Sequence, residues 1–198
     1  MKYVFATNNP GKVKEINTMF AKVGLELLSL ADLGLEFHPN ETGLTFESNS
    51  YQKAFETLEF LRKNGHENLT VLADDSGLVI EALNGLPGVD SANFMGRDTP
   101  YSVRNKKIIE MLEKSQTRFA HFECVITCVG NGIKPVSFVG KLCGEITKEP
   151  RGENGFGYDP IFFVPQFNKT LAELTQDEKN SISHRGEALR ACLEALSC

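Results

Sequence analysis

The sequence lacks the features that would place it among membrane, disulfide-rich or zinc proteins. It contains no tryptophan and an odd number of cysteines, five in 198 residues. No C-x-x-C pair occurs and no histidine has zinc-type spacing, which disfavours a disulfide framework and a zinc site. Uninterrupted apolar runs such as 161–164 are far shorter than the roughly 18 residues needed to span a bilayer. We therefore expect no membrane partner and cysteines that mainly fill the core.

An excess of basic charge is also missing. Lysine and arginine total 21 against 26 acidic residues, giving a net charge of −5. A nucleic-acid polymer is therefore not an expected partner, although a local basic pocket could bind a small anion. The apolar N-terminal stretch turns polar at Thr7 and is shorter than a signal-peptide core of about 7–15 residues. We expect a cytoplasmic protein.

Apolar residues are plentiful enough for one well-packed core. Hydrophobic residues make up 41% of the chain and include 14 phenylalanines. At roughly 100–200 residues per domain, the length predicts a single domain over residues 1–198 with two lobes. Strand signals at 2–6, 25–30, 69–73, 119–129 and 135–142 alternate with helix starts after Asn9, Thr45, Pro100 and near Ser183. This alternation, with a reversal at 131–132, predicts an α/β fold with a mixed sheet.

The first segment with a chemical signature is the turn from Thr7 to Lys12. It joins a strand to a helix, where main-chain N–H groups and a lysine can hold phosphates. It lacks the spacing of a P-loop. An ordinary helix start, capped by Asn9 with Pro10 in the first position, explains the same residues.

The second segment is Asp74-Asp75-Ser76-Gly77, directly after a buried strand. Carboxylates at the carboxyl end of a strand suit ligand binding, and adjacent acids repel unless a cation joins them. Oxygen ligands of this kind favour Mg²⁺. A simple turn is the alternative, because Asp and Gly are common turn residues.

Three further segments carry weaker signals. Glu41 and Lys53 suit a metal ligand and a phosphate contact, or are solvated surface charges. The glycine-dense loop 152–160 offers two aromatic side chains for stacking, or is a tight turn whose aromatics pack inside. Lys179 and the segment 181–186 provide donors near a helix start, or form a surface turn. Together, these segments fit a nucleoside phosphate bound with Mg²⁺.

Six motifs in order resemble the inosine/xanthosine triphosphate pyrophosphatase family, also called Ham1-like. They are ATNNPGKVKEI (6–16), ETGLTF (41–46), ADDSGL (73–78), LPGVDSA (86–92), GFGYDPIF (155–162) and SHRGEAL (183–189). The resemblance implies an elongated α/β fold with a long mixed sheet, two lobes flanking a substrate cleft, and a homodimer. It also implies Mg²⁺-dependent hydrolysis of ITP, dITP and XTP to the monophosphate and pyrophosphate. A Maf-like nucleotide pyrophosphatase and a nucleotide-binding protein without turnover are the alternatives.

The resemblance also implies a role for individual residues. Asp75 would accept the proton of the attacking water, and Mg²⁺ would be bound by Glu41, Asp74 and Asp75. The turn and Lys53 would hold the triphosphate, Phe156 would stack on the base, and Lys179, His184 and Arg185 would read it. The implied substrate-binding residues are Thr7, Asn8, Asn9, Pro10, Gly11, Lys12, Lys53, Ser76, Phe156, Gly157, Tyr158, Asp159, Lys179, His184 and Arg185.

The chain departs from the family pattern at a few positions. Asn40 stands where a second acid often precedes Thr-Gly, and Ser48 replaces the usual glutamate of F-x-E-N-A. Asn93 occupies a position where arginine often follows Ser-Ala. The first two departures leave open how many carboxylates reach the metal and whether Glu47 has a role.

Overall fold

The protein is described by a computed structural model covering residues 2–7, 9–130 and 132–196. Within these residues, seven strands form one sheet. The strands are β1 Lys2–Phe5, β2 Leu27–Ser29, β3 Leu69–Ile80, β4 Phe119–Gly130, β5 Ile133–Ile146, β6 Phe162–Val164 and β7 Lys169–Thr170. Their order in the sheet is β2-β1-β3-β4-β5-β6-β7. The helices are α1 Pro10–Lys22, α2 Phe46–Lys63, α3 Tyr101–Met111, α4 Gln176–Ile182 and α5 His184–Leu196.

The sheet is mixed, as the sequence predicts. β1 pairs in parallel with both β2 and β3, whereas β6 pairs antiparallel with β5 and β7. The parallel strands are connected through helices, because a parallel pair needs a crossover and cannot be joined by a tight turn. The predicted α/β class is confirmed.

The chain divides into two compact units. Unit 1 comprises residues 1–75, 124–140 and 185–198, and unit 2 comprises residues 76–123 and 141–184. Strands β3, β4 and β5 each contribute residues to both units. Within the described part of the chain, no helix combines the length and the apolar character needed to cross a bilayer.

The described residues of unit 1 form two apolar clusters, and the alternation of β3 explains why it contributes to both. Leu72 packs in the cluster that includes residues of α1 and α5. Val71 and Ala73 instead pack in the cluster that includes Ala54, Leu58 and Leu61 of α2. Successive side chains of a strand point to opposite faces, so even-numbered and odd-numbered residues of β3 meet different helices.

Unit 2 has its own core. Buried residues of β3, α3 and β4 pack with Tyr158, Phe162 and other residues that follow β5. Arg118 connects the end of α3 to the end of β5 beside this core. Its side chain donates to the carbonyls of Leu112, Ile146 and Thr147 at 2.6–2.9 Å.

The predicted helix starts are confirmed. Asn9 Oδ1 accepts from the N–H groups of Gly11 and Lys12 at 2.9 and 3.3 Å, so Asn9 caps α1. Thr45 caps α2, and Ser48 donates and accepts within the same capping box. The Ser48 hydroxyl makes the reciprocal bond to the Thr45 N–H that a glutamate or glutamine usually makes in a capping box.

One expectation about the elements is wrong. The segment 74–77 is neither a turn nor the end of a strand, because the 12-residue strand β3 runs through it from Leu69 to Ile80. Neighbouring strands on both sides outweigh the low strand propensity of Asp and Gly. The structure also has a short helix, α4, that the sequence patterns did not indicate; Thr175 and Glu178 stabilise its start with a capping box.

Candidate active site

The adjacent acids Asp74 and Asp75 are the centre of the unit 1 site. Both lie in mid-strand, are almost completely buried, and project to opposite faces of the sheet. Asp74 meets the helices α1 and α5, and Asp75 meets α2. Ion pairs with Lys12 and Arg185 at Asp74, and with Lys53 at Asp75, offset the repulsion between the two carboxylates.

Asp74 is held by two cations. Lys12 Nζ of α1 lies 2.8 Å from Asp74 Oδ2, and Arg185 Nε of α5 lies 3.4 Å from the same oxygen. Burial by itself would raise the pKa of Asp74, but the charges of Lys12, Arg185 and Lys53 outweigh burial and hold that pKa far below its usual range. Asp74 therefore stays ionised and fixes the two cations.

Asp75 has weaker charge compensation. Lys53 Nζ lies 3.1 Å from Asp75 Oδ1, and Asn49 Nδ2 donates to Asp75 Oδ2 at 3.0 Å. Burial raises the pKa of Asp75, and the opposing effects of Lys53, Asn49 and Lys12 do not cancel the increase. A carboxylate with a raised pKa is suited to accept a proton near neutral pH.

Lys53 is shared between two carboxylates. Its ammonium also lies 3.1 Å from Glu41 Oε1, whose side chain is about half exposed at 47%. Burial alone would lower the pKa of Lys53, but the negative charges of Asp75, Asp74 and Glu41 raise it. Lys53 is thus a permanently charged group with a carboxylate on either side.

Residues 40–43, the Glu41 segment, are hydrogen-bonded along one face of α2. Asn40 donates its N–H to Glu56 at 2.9 Å, Thr42 Oγ1 donates to Gln52 at 3.1 Å, and Gly43 N–H donates to Asn49 Oδ1 at 2.7 Å. With the Lys53–Glu41 contact, four consecutive residues, 40–43, each meet one of four helix residues spaced i, i+3, i+4 and i+7. Asn40 therefore anchors this segment.

Asn49 is a site residue that the sequence reasoning missed. It is 3% exposed and joins the Gly43 main chain to Asp75. A Cβ on Gly43 would overlap Ser48 and Asn49, so this close approach requires glycine. The sequence signal that could have identified Asn49 is its helical spacing from the polar residues Gln52, Lys53 and Glu56 of α2.

The predicted phosphate turn is only partly free to bind an anion. The side chain of Asn9 already occupies the N–H groups of Gly11 and Lys12, and Val13 N–H donates to Asn9 O. Thr7 Oγ1 accepts from Asn9 N–H at 3.2 Å. Asn8 lies outside the described residues, and Pro10 begins α1. The charge that this turn offers is the ammonium of Lys12.

The oxygen donors of unit 1 suit a hard cation. Glu41 and Asp75 both direct an oxygen to one ammonium at 3.1 Å, so their carboxylates can surround a single positive charge. Across residues 2–7, 9–130 and 132–196, no three acidic, histidine or cysteine side chains are grouped closely enough to hold a metal. Mg²⁺ commonly needs only one or two carboxylates, because water and phosphate complete its coordination.

In unit 2, Asp159 organises the loop that carries Phe156. Its Oδ2 accepts from Phe156 N–H at 2.8 Å and from Lys179 Nζ at 2.7 Å. The ammonium also lies 4.8 Å from the centre of the Phe156 ring, which is 41% exposed. A Cβ on Gly155, at φ +77°, would overlap Asp159 Oδ2. Phe156 thus presents an open aromatic face beside a fixed cation.

The other predicted residues of unit 2 are less exposed. Tyr158 is 3% exposed and donates its hydroxyl to Ser91 O at 2.7 Å, so it belongs to the core and is not a second open aromatic. Burial raises the pKa of Tyr158 well above its usual value. His184 is buried and stacks on Phe122 with ring centres 4.8 Å apart. Ser76, half-buried, follows Asp75 in β3.

Known proteins resemble this chain over nearly its full length. The model of the Ham1 family matches residues 3–195. A Clostridium perfringens protein named dITP/XTP pyrophosphatase is 45% identical over 190 residues, covering 95% of this chain and 93% of that protein. A protein of the same name from Escherichia coli K12 is 42% identical over 199 residues, covering 98% of each.

Solved structures agree with these sequence matches. A HAM1 protein from Coxiella burnetii superposes with a TM-score of 0.88 at 39% identity, covering 100% of this chain and 98% of that one. The Staphylococcus aureus Ham1 protein gives a TM-score of 0.87 at 38% identity, with the same coverage. On the family match, the sequence identity and the shared fold, the chain belongs to the Ham1 family.

Proposed function

We propose that the protein is a Mg²⁺-dependent pyrophosphatase that hydrolyses ITP, dITP and XTP to the nucleoside monophosphate and pyrophosphate. The observation that carries the proposal is Asp75, a buried carboxylate of raised pKa held between Lys53 and Asn49. Relatives that are 42–46% identical over at least 95% of this chain and are named dITP/XTP pyrophosphatase support the substrate class.

The unit 1 cluster is proposed to act on the triphosphate. Water attacks the α-phosphorus, the bond from that phosphorus to the bridging oxygen breaks, and pyrophosphate leaves. Asp75 accepts the proton that the water loses. Lys12 and Lys53 stabilise the negative charge that develops on the phosphate oxygens, with Thr7 and its turn holding the chain of phosphates.

Glu41 and Asp75 are the proposed ligands of Mg²⁺. The ion would neutralise phosphate charge and assist ionisation of the water. Asp74 is proposed to act indirectly, because its Oδ2 is bonded to Lys12 and Arg185. It keeps Lys12 in place for the phosphates.

The unit 2 cluster is proposed to recognise the base. Phe156 supplies a stacking face, and Lys179 and His184 supply donors for the oxygen that hypoxanthine and xanthine carry at C6; the family resemblance adds Arg185. Adenine presents an amino donor at that position and would leave buried donors unpaired, which allows discrimination on the order of 10⁴-fold. Guanine shares the C6 oxygen, so its rejection requires a further contact.

Pyrophosphate release from ITP, XTP, GTP, ATP and TTP, each with Mg²⁺ and with EDTA, tests the proposal. We expect strong release from ITP and XTP that EDTA abolishes, with little from ATP and GTP. Preference for TTP, or release of orthophosphate in place of pyrophosphate, would contradict it. Nucleotide binding without turnover would identify a binding protein.

Two accompanying proposals concern assembly and location. We propose a homodimer, which light scattering coupled to size-exclusion chromatography would test by the molar mass. We propose a cytoplasmic location, which cell fractionation would test. The homodimer is supported by the family resemblance alone, and the cytoplasmic location is supported by the sequence composition.

A further inference from the structure

The motif LPGVDSA (86–92) and helix α3 have no part in the reaction proposed above. Polar side chains nevertheless connect them to the base-recognition loop, residues 152–160, which carries Phe156. Arg104 of α3 is 1% exposed. Its guanidinium donates to four main-chain carbonyls, those of Ser91, Ala92, Gly96 and Arg97, at 2.7–3.3 Å. A buried arginine that donates to four carbonyls of one loop fixes the path of that loop.

The loop that Arg104 holds is itself under constraint. Met95 adopts φ +65°, a left-handed conformation that costs energy for a residue other than glycine. Thr99 Oγ1 donates to Met95 O at 2.7 Å, directly beside the carbonyls that Arg104 binds. Such conformations persist where the surroundings determine the backbone strongly.

Ser91 connects the part of the chain that Arg104 binds to the base-recognition loop. Its hydroxyl accepts from Leu78 N–H at 2.9 Å and donates to Gly88 O at 2.6 Å. Its carbonyl accepts the hydroxyl of Tyr158 at 2.7 Å as well as Arg104. Tyr158 is therefore attached to a main chain that Arg104 has already fixed.

A second link runs directly from α3. Asn105 is 3% exposed and donates its side-chain amide to Gly157 O at 3.1 Å. The ring of Tyr101 meets Tyr158 edge-on with centres 5.2 Å apart and lies beneath the Arg104 guanidinium at 4.7 Å. The peptide between Phe156 and Tyr158 is thus held from the same helix that fixes Ser91.

We propose that Arg104 and Asn105 are positioning residues for base recognition, acting through Ser91, Gly157 and Tyr158 on the presentation of Phe156. This inference rests on the proposed function. Neither residue is assigned a contact with the base. Because base contacts are made equally in the bound substrate and the transition state, their loss should raise KM and leave kcat nearly unchanged.

The test compares Asn105→Leu with Lys106→Ala, an exposed neighbour on the same helix. Asn105→Leu keeps the volume but removes the amide donor. We expect its KM for ITP to rise about tenfold, as for one lost hydrogen bond, with kcat within about twofold. The preference for ITP over ATP should change little, because every base offers a face for stacking, and Lys106→Ala should behave as wild type. A lower kcat with unchanged KM would overturn the inference, as would an equal effect of Lys106→Ala.

Tyr158→Phe provides a second variant in case Asn105→Leu does not fold. It removes only the hydroxyl that binds Ser91 O, and the same rise in KM is expected; an unchanged KM overturns the inference. Calorimetric binding of inosine monophosphate gives a readout that needs no turnover. A wild-type protein that binds this nucleotide without hydrolysing ITP refutes the proposed function, while weaker binding by the variants still supports the positioning role.

Discussion

The two faces of β3 in unit 1 shift the pKa values of two neighbouring carboxylates in opposite directions. On the face of α1 and α5, Asp74 is paired with Lys12 and Arg185 and its pKa is far below the usual range. On the face of α2, Asp75 shares Lys53 with Glu41 and its pKa is raised. Adjacent identical residues thus acquire different pKa values, because strand alternation places them in different surroundings. One is stabilised as an anion, and the other remains able to take a proton.

The largest expected effect on stability is that of Asp74→Asn. The change leaves Lys12 and Arg185 beside a neutral side chain, and breaking a buried pair costs roughly 3–5 kcal/mol of unfolding free energy. Urea unfolding measures the loss. Asp75→Asn is the matched control and should cost much less, because it also relieves the burial of a charge that its surroundings compensate poorly. Equal losses in the two variants would remove the distinction between the faces.

Asn49→Leu is expected to have an intermediate effect. It removes the donor to Asp75 Oδ2 and leaves Gly43 N–H without its acceptor, so we expect a loss of about 1–3 kcal/mol in unfolding free energy. Turnover should also fall, because Asp75 and the Glu41 segment lose a shared anchor. Urea unfolding and pyrophosphate release measure both effects. Glu59→Gln, at a half-exposed position on α2 where the side chain pairs with Arg62, is the control, and a comparable fall there would contradict the assignment.

Sequence reasoning predicted the helix starts and the mixed sheet because they depend on local signals. Asn9 and Thr45 cap their helices through bonds that span only two or three residues. It failed at residues 74–77, where Asp and Gly favour a turn locally but the neighbouring strands decide the conformation.

The site was predictable in composition but not in its connections. The sequence indicated Asp75, Lys53 and Glu41 as candidates, yet only the fold brings Lys53 between the two carboxylates. Asn49 and Arg104 were missed because a buried amide or guanidinium that binds main-chain groups has no distinctive spacing. The loop 152–160, whose two aromatic side chains suit either stacking or the core, contains one open aromatic, Phe156, and one core residue, Tyr158.

The smallest expected effect is the dependence of stability on pH. Because folding lowers the pKa of Asp74, the contribution of this carboxylate to stability is fully present above its unfolded pKa of about 4. That contribution is lost as pH falls from the unfolded pKa through the folded pKa. The raised pKa of Asp75 has the opposite sign: its contribution favours folding at low pH and is lost as pH rises through the folded pKa. Urea midpoints across acidic and neutral pH should therefore show Asp74→Asn less acid-sensitive than wild type. They should also show that Asp75→Asn loses less stability than wild type as pH rises. The reverse pattern would contradict the two pKa directions.

We propose that Asp75 takes part in the chemistry and that Asp74 supports the structure. Single-turnover release of pyrophosphate from ITP at saturating Mg²⁺, expressed per folded molecule, tests it most directly in Asp75→Asn and Asp74→Asn. We predict that Asp75→Asn slows the reaction by roughly 10²–10⁴-fold, the usual contribution of a general base, and that Asp74→Asn retains the faster rate of the two. Near-normal turnover by Asp75→Asn would contradict the account.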